Sequence, residues 1–201
     1  MSKQVRTRLA IFASGSGSNF EVIAKAIQSG KINAELCLLI CDQPEAYVLK
    51  RAEASGIEAR LLQPNQYLNK MTFEQAVLGV LKEMKIDLII LAGYMRIVGK
   101  TLLGAYPDRI LNIHPSLLPF FPGKQAVLDA FAAGVKETGV TVHLVDQGID
   151  TGPILSQKKV MVESGDTLTS LEEKVHKVEH SMYPYVIQTY IEKLQKEQVH
   201  S

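Results

Sequence analysis

Arg8-Leu9-Ala10-Ile11-Phe12-Ala13-Ser14, running directly into Gly15-Ser16-Gly17-Ser18-Asn19, decides the fold of this chain. The first seven residues read as a buried strand, because the apolar run between Arg8 and Ser14 is continuous. The next five form a glycine-rich turn. Beyond it Phe20, Ile23, Ala24 and Ile27 recur at helical spacing, and Gly30 is placed to end that helix. A buried strand, a glycine turn and an amphipathic helix make the opening unit of an α/β sheet.

The same alternation continues outward. Ala34–Cys41 reads as a strand, a helix over about residues 46–55 stops at Gly56, and Ile57–Leu62 is a short strand. Phe73, Val77, Val80, Leu81 and Met84 mark one face of a longer helix. Leu88–Ala92 and Arg109–His114 are apolar strands bracketing Met95-Arg96-Ile97-Val98. Strands alternating with helices predict a Rossmann-like α/β fold, a mainly parallel sheet with helices on both faces. After Pro122 a helix over about residues 125–133 precedes strands at 139–146 and 154–162, expected to add antiparallel pairing. A long amphipathic region over about residues 168–198 closes the chain, with Pro184 expected to kink or split it. These signals predict a single domain over residues 1–201, its α/β half at 1–115 and a C-terminal β-plus-helix extension at 116–201.

Composition narrows the partners. The 201 residues are 46% hydrophobic and 21% charged, with a formal net charge of +1, which gives no footprint for nucleic acid or an anionic membrane. Lys3, Arg6 and Arg8 precede an apolar run too short for a secretion-signal core. No segment approaches the roughly 20 apolar residues of a membrane-spanning helix. Cys37 and Cys41 sit four apart in a strand, about 13 Å between alpha carbons, so reduced core thiols and a cytoplasmic protein are expected.

Three groups of residues carry chemistry. The Gly15–Asn19 turn lies where free backbone N–H groups and a helix dipole make an anion site. A dinucleotide fingerprint needs a third glycine where Phe20 stands, and no Walker lysine follows. Asp42, at the end of the second strand, sits where a ribose-binding acid would be, but without that glycine no nicotinamide cofactor is expected. A phosphomonoester fits the turn best; a tight turn that binds nothing is the plainer reading. Asn112 and His114, two apart in a strand, project to one face roughly 6–7 Å apart, an amide beside an imidazole. That pairing suits a carbonyl oxygen gathering negative charge while a proton moves. Asp150, in the turn-rich stretch Asp146–Pro153, is either an Asx-turn residue or a partner that favours the imidazolium of His114. His143 alternates with core valines and reads as a structural histidine. His176, Glu179 and His180 lack the zincin pattern, so no metal is expected, although Glu179 can line a cleft.

Taken together, Ser14–Asn19, Ala92-Gly93-Tyr94-Met95-Arg96-Ile97, Asn112–Pro119, Asp150-Thr151-Gly152-Pro153-Ile154, and Glu179-His180 with Tyr183-Pro184 resemble the phosphoribosylglycinamide formyltransferase family in order and nearly end to end. The resemblance implies the formyltransferase fold, and transfer of the formyl group of 10-formyltetrahydrofolate to the amine of 5'-phosphoribosylglycinamide in purine (IMP) biosynthesis. It implies Asn112, His114 and Asp150 as catalytic residues. It implies Gly17, Ser18 and Asn19 on the ribose phosphate and Glu179 facing the glycinamide amine. Lys70, Tyr94, Met95, Arg96, Ile97, Val98, Asn112 and Asp146 are implied for the folate. At Lys70 some members carry arginine, and lysine offers a point charge rather than a bidentate fork. Gly123-Lys124-Gln125-Ala126 also departs from relatives, which bears on side-chain contacts from that loop. A monomer or homodimer is expected. A formyltetrahydrofolate hydrolase and a phosphate-sensing module are the alternatives; a methionyl-tRNA formyltransferase is expected to need a further RNA-binding domain.

Overall fold

The computed structural model describes residues 6–199; Lys3 of the N-terminal basic cluster lies outside them. In chain order the elements are β1 (Thr7–Ala13), α1 (Ser18–Gln28), β2 (Ala34–Cys41), α2 (Val48–Ala54), β3 (Glu58–Leu61), α3 (Lys70–Glu83), β4 (Leu88–Leu91), α4 (Lys100–Ala105), β5 (Ile110–His114), α5 (Ala126–Ala132), β6 (Glu137–Leu144), β7 (Ile154–Met161) and α6 (Leu168–Val199), with a 3-10 turn at Pro64–Gln66. The seven strands form one sheet in the order β3-β2-β1-β4-β5-β6-β7. Pairing is parallel from β3 through β5, while β5–β6 and β6–β7 are antiparallel. This is the mainly parallel, Rossmann-like sheet that the alternating pattern predicts.

Alternation along the strands sorts their side chains into two cores. Leu9, Ile11 and Ala13 pack with Phe20 and Ile23 of α1, Val48 of α2 and Leu171, Val175, Tyr183 and Ile187 of α6. Ala10 and Phe12 face the other way, onto Phe73, Val77 and Leu81 of α3 and Leu102 of α4. A bulge interrupts β2, for Leu9 pairs Leu36 but Ala10 pairs Leu38. The extra residue is Cys37, so Cys37 and Cys41 end in opposite cores. Both are buried free thiols, and burial pushes Cys37 up to about 11, leaving little thiolate for reaction.

Two local features differ from expectation. Helix α4 has no sequence signal, being six residues long with Gly99 before it and Gly104 inside; the Glu74 carboxylate anchors its start by accepting the Gly99 N–H at 2.5 Å. Pro184 does not split the last helix, which runs unbroken from Leu168 to Val199. An interior proline costs about 3 kcal/mol. Its neighbours Met182, Tyr183, Val186 and Ile187 are all buried, and each large apolar side chain contributes roughly 1.5–3 kcal/mol. Packing therefore outweighs the lost hydrogen bond.

Tyr183 also binds the sheet through its hydroxyl, which lies 2.8 Å from Leu91 O and 3.2 Å from Leu111 O on neighbouring strands. Substituting Tyr183→Phe should cost about 1–3 kcal/mol in urea unfolding, the range for leaving buried polar groups without their partner. Tyr185→Phe, at a side chain 71% exposed two residues on, should leave the midpoint unchanged.

Candidate active site

The sheet order reverses at β1, whose chain leads to β2 on one side and whose other neighbour is β4. Open α/β sheets bind ligands in the crevice outside the carboxyl ends of strands at such a switch point. A cavity of about 390 Å³ lies there. It is lined by the Gly15–Asn19 turn, Tyr94–Val98, Asn112, His114, Asp146, Asp150 and Glu179. Of the residues singled out in the sequence for substrate, folate or chemistry, Lys70 alone does not line it. Lys70 begins α3 with its ammonium 3.9 Å from Glu74 and is mostly exposed.

The turn is built to hold its backbone open. Gly17 adopts φ 75°, and a Cβ there would come within 2.5 Å of Val48 Cγ2, so only glycine fits. Val48 N donates to Gly15 O at 3.1 Å and Arg51 Nε donates to Ser16 O at 2.9 Å, fixing the turn on α2. No side chain caps α1, which leaves the N–H groups of its first turn for a ligand. The sequence offers Ser18 and Asn19 as extra donors or caps. Asn19 instead gives its Nδ2 hydrogen to Glu179 Oε2 at 3.0 Å, and its buried Oδ1 has no protein partner. The same Glu179 oxygen lies 2.9 Å from His176 Nδ1, and this bond raises the pKa of His176. His176 lines the cavity as well, a role not seen in the sequence; its signal was the i, i+3 spacing to Glu179 on one helix face.

At the far side of the crevice the end of β5 carries Asn112 and His114. His114 Nδ1 is 3.4 Å from Asp150 Oδ2, and its Nε2 donates to Phe121 O at 2.8 Å. Asn112 Nδ2 is 3.5 Å from Asp150 Oδ1. The structure therefore brings together the three residues that sequence could only suspect of meeting. The loop after β5 does this through its backbone, since Gly123 N also donates to Asp150 Oδ2 at 2.9 Å. Asp150 itself stands at φ 54°, a left-handed conformation that aspartate tolerates better than most residues.

His143 is the structural histidine that the sequence implies, with both ring nitrogens hydrogen-bonded, and it also borders the site. It is buried among core residues, as its alternation with valines implies, but β6 pairs it directly opposite Asn112. Its Nδ1 lies 2.8 Å from Leu144 O and its Nε2 is 3.1 Å from Asn112 Nδ2 and 3.6 Å from Asp150 Oδ1. In the neutral ring Nδ1–H donates to Leu144 O and Nε2 accepts from Asn112; on protonation Nε2–H faces Asp150. Hydrogen bonding from His143 is the largest influence lowering the Asp150 pKa. The Gly123 N–H and the two nearby imidazoles add to it, against an opposing contribution from burial.

The remaining wall is apolar. Met95 and Ile97 are each about half exposed and line the crevice, and Ile149 lines it from the 146–150 loop. Tyr94 packs edge-on against Phe12 with ring centroids 5.3 Å apart, and burial holds its phenol protonated. Asp146 shapes its loop, accepting from Gly148 N at 3.0 Å and Thr151 Oγ1 at 2.7 Å. Among the described residues no cluster of three or more histidine, cysteine or acidic side chains has a metal-binding arrangement.

A glycine turn with open backbone N–H groups, an apolar slot and an amide–imidazole–carboxylate cluster thus share one switch-point crevice, the layout of an enzyme active site. Residues 7–187 match the formyl transferase family, and the chain belongs to it. It is 52% identical over 180 residues to the phosphoribosylglycinamide formyltransferase of Bacillus subtilis (strain 168), covering 90% of this chain and 92% of that one. It is 37% identical over 183 residues to the trifunctional purine biosynthetic protein adenosine-3 of Homo sapiens, 91% of this chain but 18% of that protein. The crystal structure of glycinamide ribonucleotide transformylase 1 from Geobacillus kaustophilus matches with a TM-score of 0.91 at 50% identity, covering 92% of this chain and 99% of that one.

Because the folded-state pKa of Asp150 is lowered, its stabilising contribution is fully present above the unfolded value, about 3.9, and is lost as pH falls through the folded value. In urea unfolding, the stability difference between wild type and Asp150→Asn should hold steady from neutrality to about pH 5 and drift only below about pH 4. A difference that already changes between pH 7 and 6 would assign the linkage to the histidines instead.

Proposed function

We propose that the protein transfers the formyl group of 10-formyltetrahydrofolate to the amine of 5'-phosphoribosylglycinamide. The products are formylglycinamide ribonucleotide and tetrahydrofolate, a step of de novo purine (IMP) biosynthesis. The observation that carries this reading is the placement of the His114–Asp150 pair, 3.4 Å apart, beside Asn112 in the same crevice as an uncapped helix N-terminus. In this reading the turn at Gly17, Ser18 and Asn19 takes the ribose phosphate through backbone N–H groups and the α1 dipole. Glu179, fixed between Asn19 and His176, faces the amine end of the same substrate.

The apolar faces of Met95, Ile97, Val98 and Ile149, with Tyr94 behind them, suit a flat pterin and benzoyl system, and Arg96 and Asp146 supply polar contacts elsewhere along the folate. As co-substrate the folate supplies an activated formyl group. Every other contribution comes from the chain. Asn112 Nδ2 has two hydrogens: one serves His143, and the other makes only a long 3.5 Å bond to Asp150 Oδ1, which an oxyanion can replace. Protonated His114 adds positive charge next to that oxygen. Its orientation is fixed at Nε2 by Phe121 O and on the Nδ1 side by the Asp150 carboxylate, 3.4 Å away. Asp150 also accepts the proton leaving the attacking amine and passes it through water towards the departing nitrogen. No acyl-enzyme is needed, because holding two reactants in one crevice makes the reaction effectively unimolecular. Ser116 is no nucleophile: its hydroxyl is buried and donates to Phe120 O at 2.5 Å.

Described residues include no helix long and apolar enough to cross a membrane. The reading takes small-molecule substrates and no nucleic acid, and it places the enzyme in the cytoplasm as a monomer or homodimer. Tetrahydrofolate release should require the glycinamide ribonucleotide; release without it would instead identify a hydrolase. His114→Ala and Asp150→Asn should each lower turnover by a factor on the order of 10²–10³. Phosphoribosylglycinamide affinity, measured by calorimetry, should stay near the wild-type value in both.

A further inference from the structure

Asp42 closes β2 at the position where nucleotide-binding sheets place a ribose-binding acid, but its carboxylate points elsewhere. Its side chain is 1% exposed, and Oδ2 accepts from Arg96 Nε at 2.6 Å and from Gln43 Nε2 at 3.0 Å. The other oxygen, Oδ1, is buried with no partner. Arg96 is different: 41% of its side chain is exposed, and it lines the crevice.

Stability is a weak reason for such a pair. Burying a carboxylate is costly, and an ion pair whose cation remains wet returns little of that cost. An oxygen left without a partner adds to the cost. What the contact does achieve is geometric. A guanidinium held at Nε has its plane fixed, and among the described residues no hydrogen bond occupies either Nη group. The free end is then a preset two-pronged donor, the shape that binds a carboxylate bidentately. It sits on the same loop as Met95 and Ile97, the apolar wall.

We propose that Asp42 is a positioning residue that sets affinity for the carboxylate tail of the folate, by fixing Arg96 as a fork on the crevice wall. This rests on the folate reading given above. The ligand class is an aryl-linked amino-acid carboxylate rather than a phosphate, because the phosphate has its own turn at α1. With Arg96 pre-oriented, the tail need not freeze a long side chain, so the effect appears as affinity rather than as chemistry.

The test compares tetrahydrofolate with tetrahydropteroate, which lacks the glutamate tail, by calorimetry on the wild type, Asp42→Asn, Arg96→Met and the double variant. Asp42→Asn should weaken tetrahydrofolate roughly tenfold, equivalent to about 1.4 kcal/mol, and leave tetrahydropteroate unchanged. In the Arg96→Met background the second substitution should have no further effect. In turnover, Asp42→Asn should raise KM for 10-formyltetrahydrofolate with kcat preserved. Equal weakening of both ligands would mean a merely structural role and overturn the proposal, as would unchanged tetrahydrofolate affinity. Weakened binding of 5'-phosphoribosylglycinamide in Asp42→Asn would assign the Arg96 fork to the phosphate and also overturn it. If the wild type binds neither pterin, the folate reading itself fails, an outcome distinct from all of these.

Discussion

Parallel pairing of β1, β4 and β5 is the constraint on which the rest of the molecule depends. Phe12 pairs Leu91, and Leu91 pairs Asn112, so these strands end nearly level. Each then opens into a different loop: the glycine turn, the Tyr94–Val98 wall, and the segment from Pro115 to Gly123. Their convergence follows from three apolar strands pairing in this register, with Gly17 supplying a turn conformation that a side chain would block. Tyr183 reinforces it from α6 by bonding backbone carbonyls of both β4 and β5. The antiparallel addition of β6 then lays His143 opposite Asn112, and the turn beyond β6 returns Asp150 to His114.

Within that frame the polar groups have been divided unequally. Asp150 is satisfied from several directions, which keeps it ionised beside two imidazoles despite its burial. Asn19 Oδ1 and Asp42 Oδ1 are left without partners. Buried polar atoms in native proteins are rarely orphaned, and the exceptions concentrate where a ligand or a function accounts for them. Here one belongs to a side chain lining the crevice, and the other to the acid that holds Arg96. The left-handed backbone at Asp150 is a further local cost, of order 1–3 kcal/mol, located beside His114 and Asn112.

Much of this was legible in the chain because its signals are local. The β1–turn–α1 unit, the strand Ala34–Cys41 and the i, i+2 relation of Asn112 to His114 follow from periodicity over a few residues, and each element forms close to where the pattern puts it. What could not be read depends on residues far apart in sequence. His143 looked purely structural because its alternation with Val140 and Val142 says only which face it occupies; the β5–β6 register decides that the face holds Asn112. The meeting of Asp150 with His114 depends on the Gly123 N–H, from a segment whose side chains gave no hint of it. Of the two outcomes expected at Pro184, a kink or a split, the split does not occur, because tertiary packing on both sides of the proline outweighs the local rule. The bulge at Cys37 likewise has no signature in a uniformly apolar strand, and it reverses which core Cys41 enters.

The central claim is that one crevice holds both reactants and passes the formyl group directly between them. Following the fate of a ¹³C-labelled formyl group by NMR tests it most directly. With both substrates present, the label should move from N10 of the folate to the glycinamide nitrogen, with no free formate formed. Label appearing as formate, or remaining on the folate while the amine goes unmodified, would contradict the account.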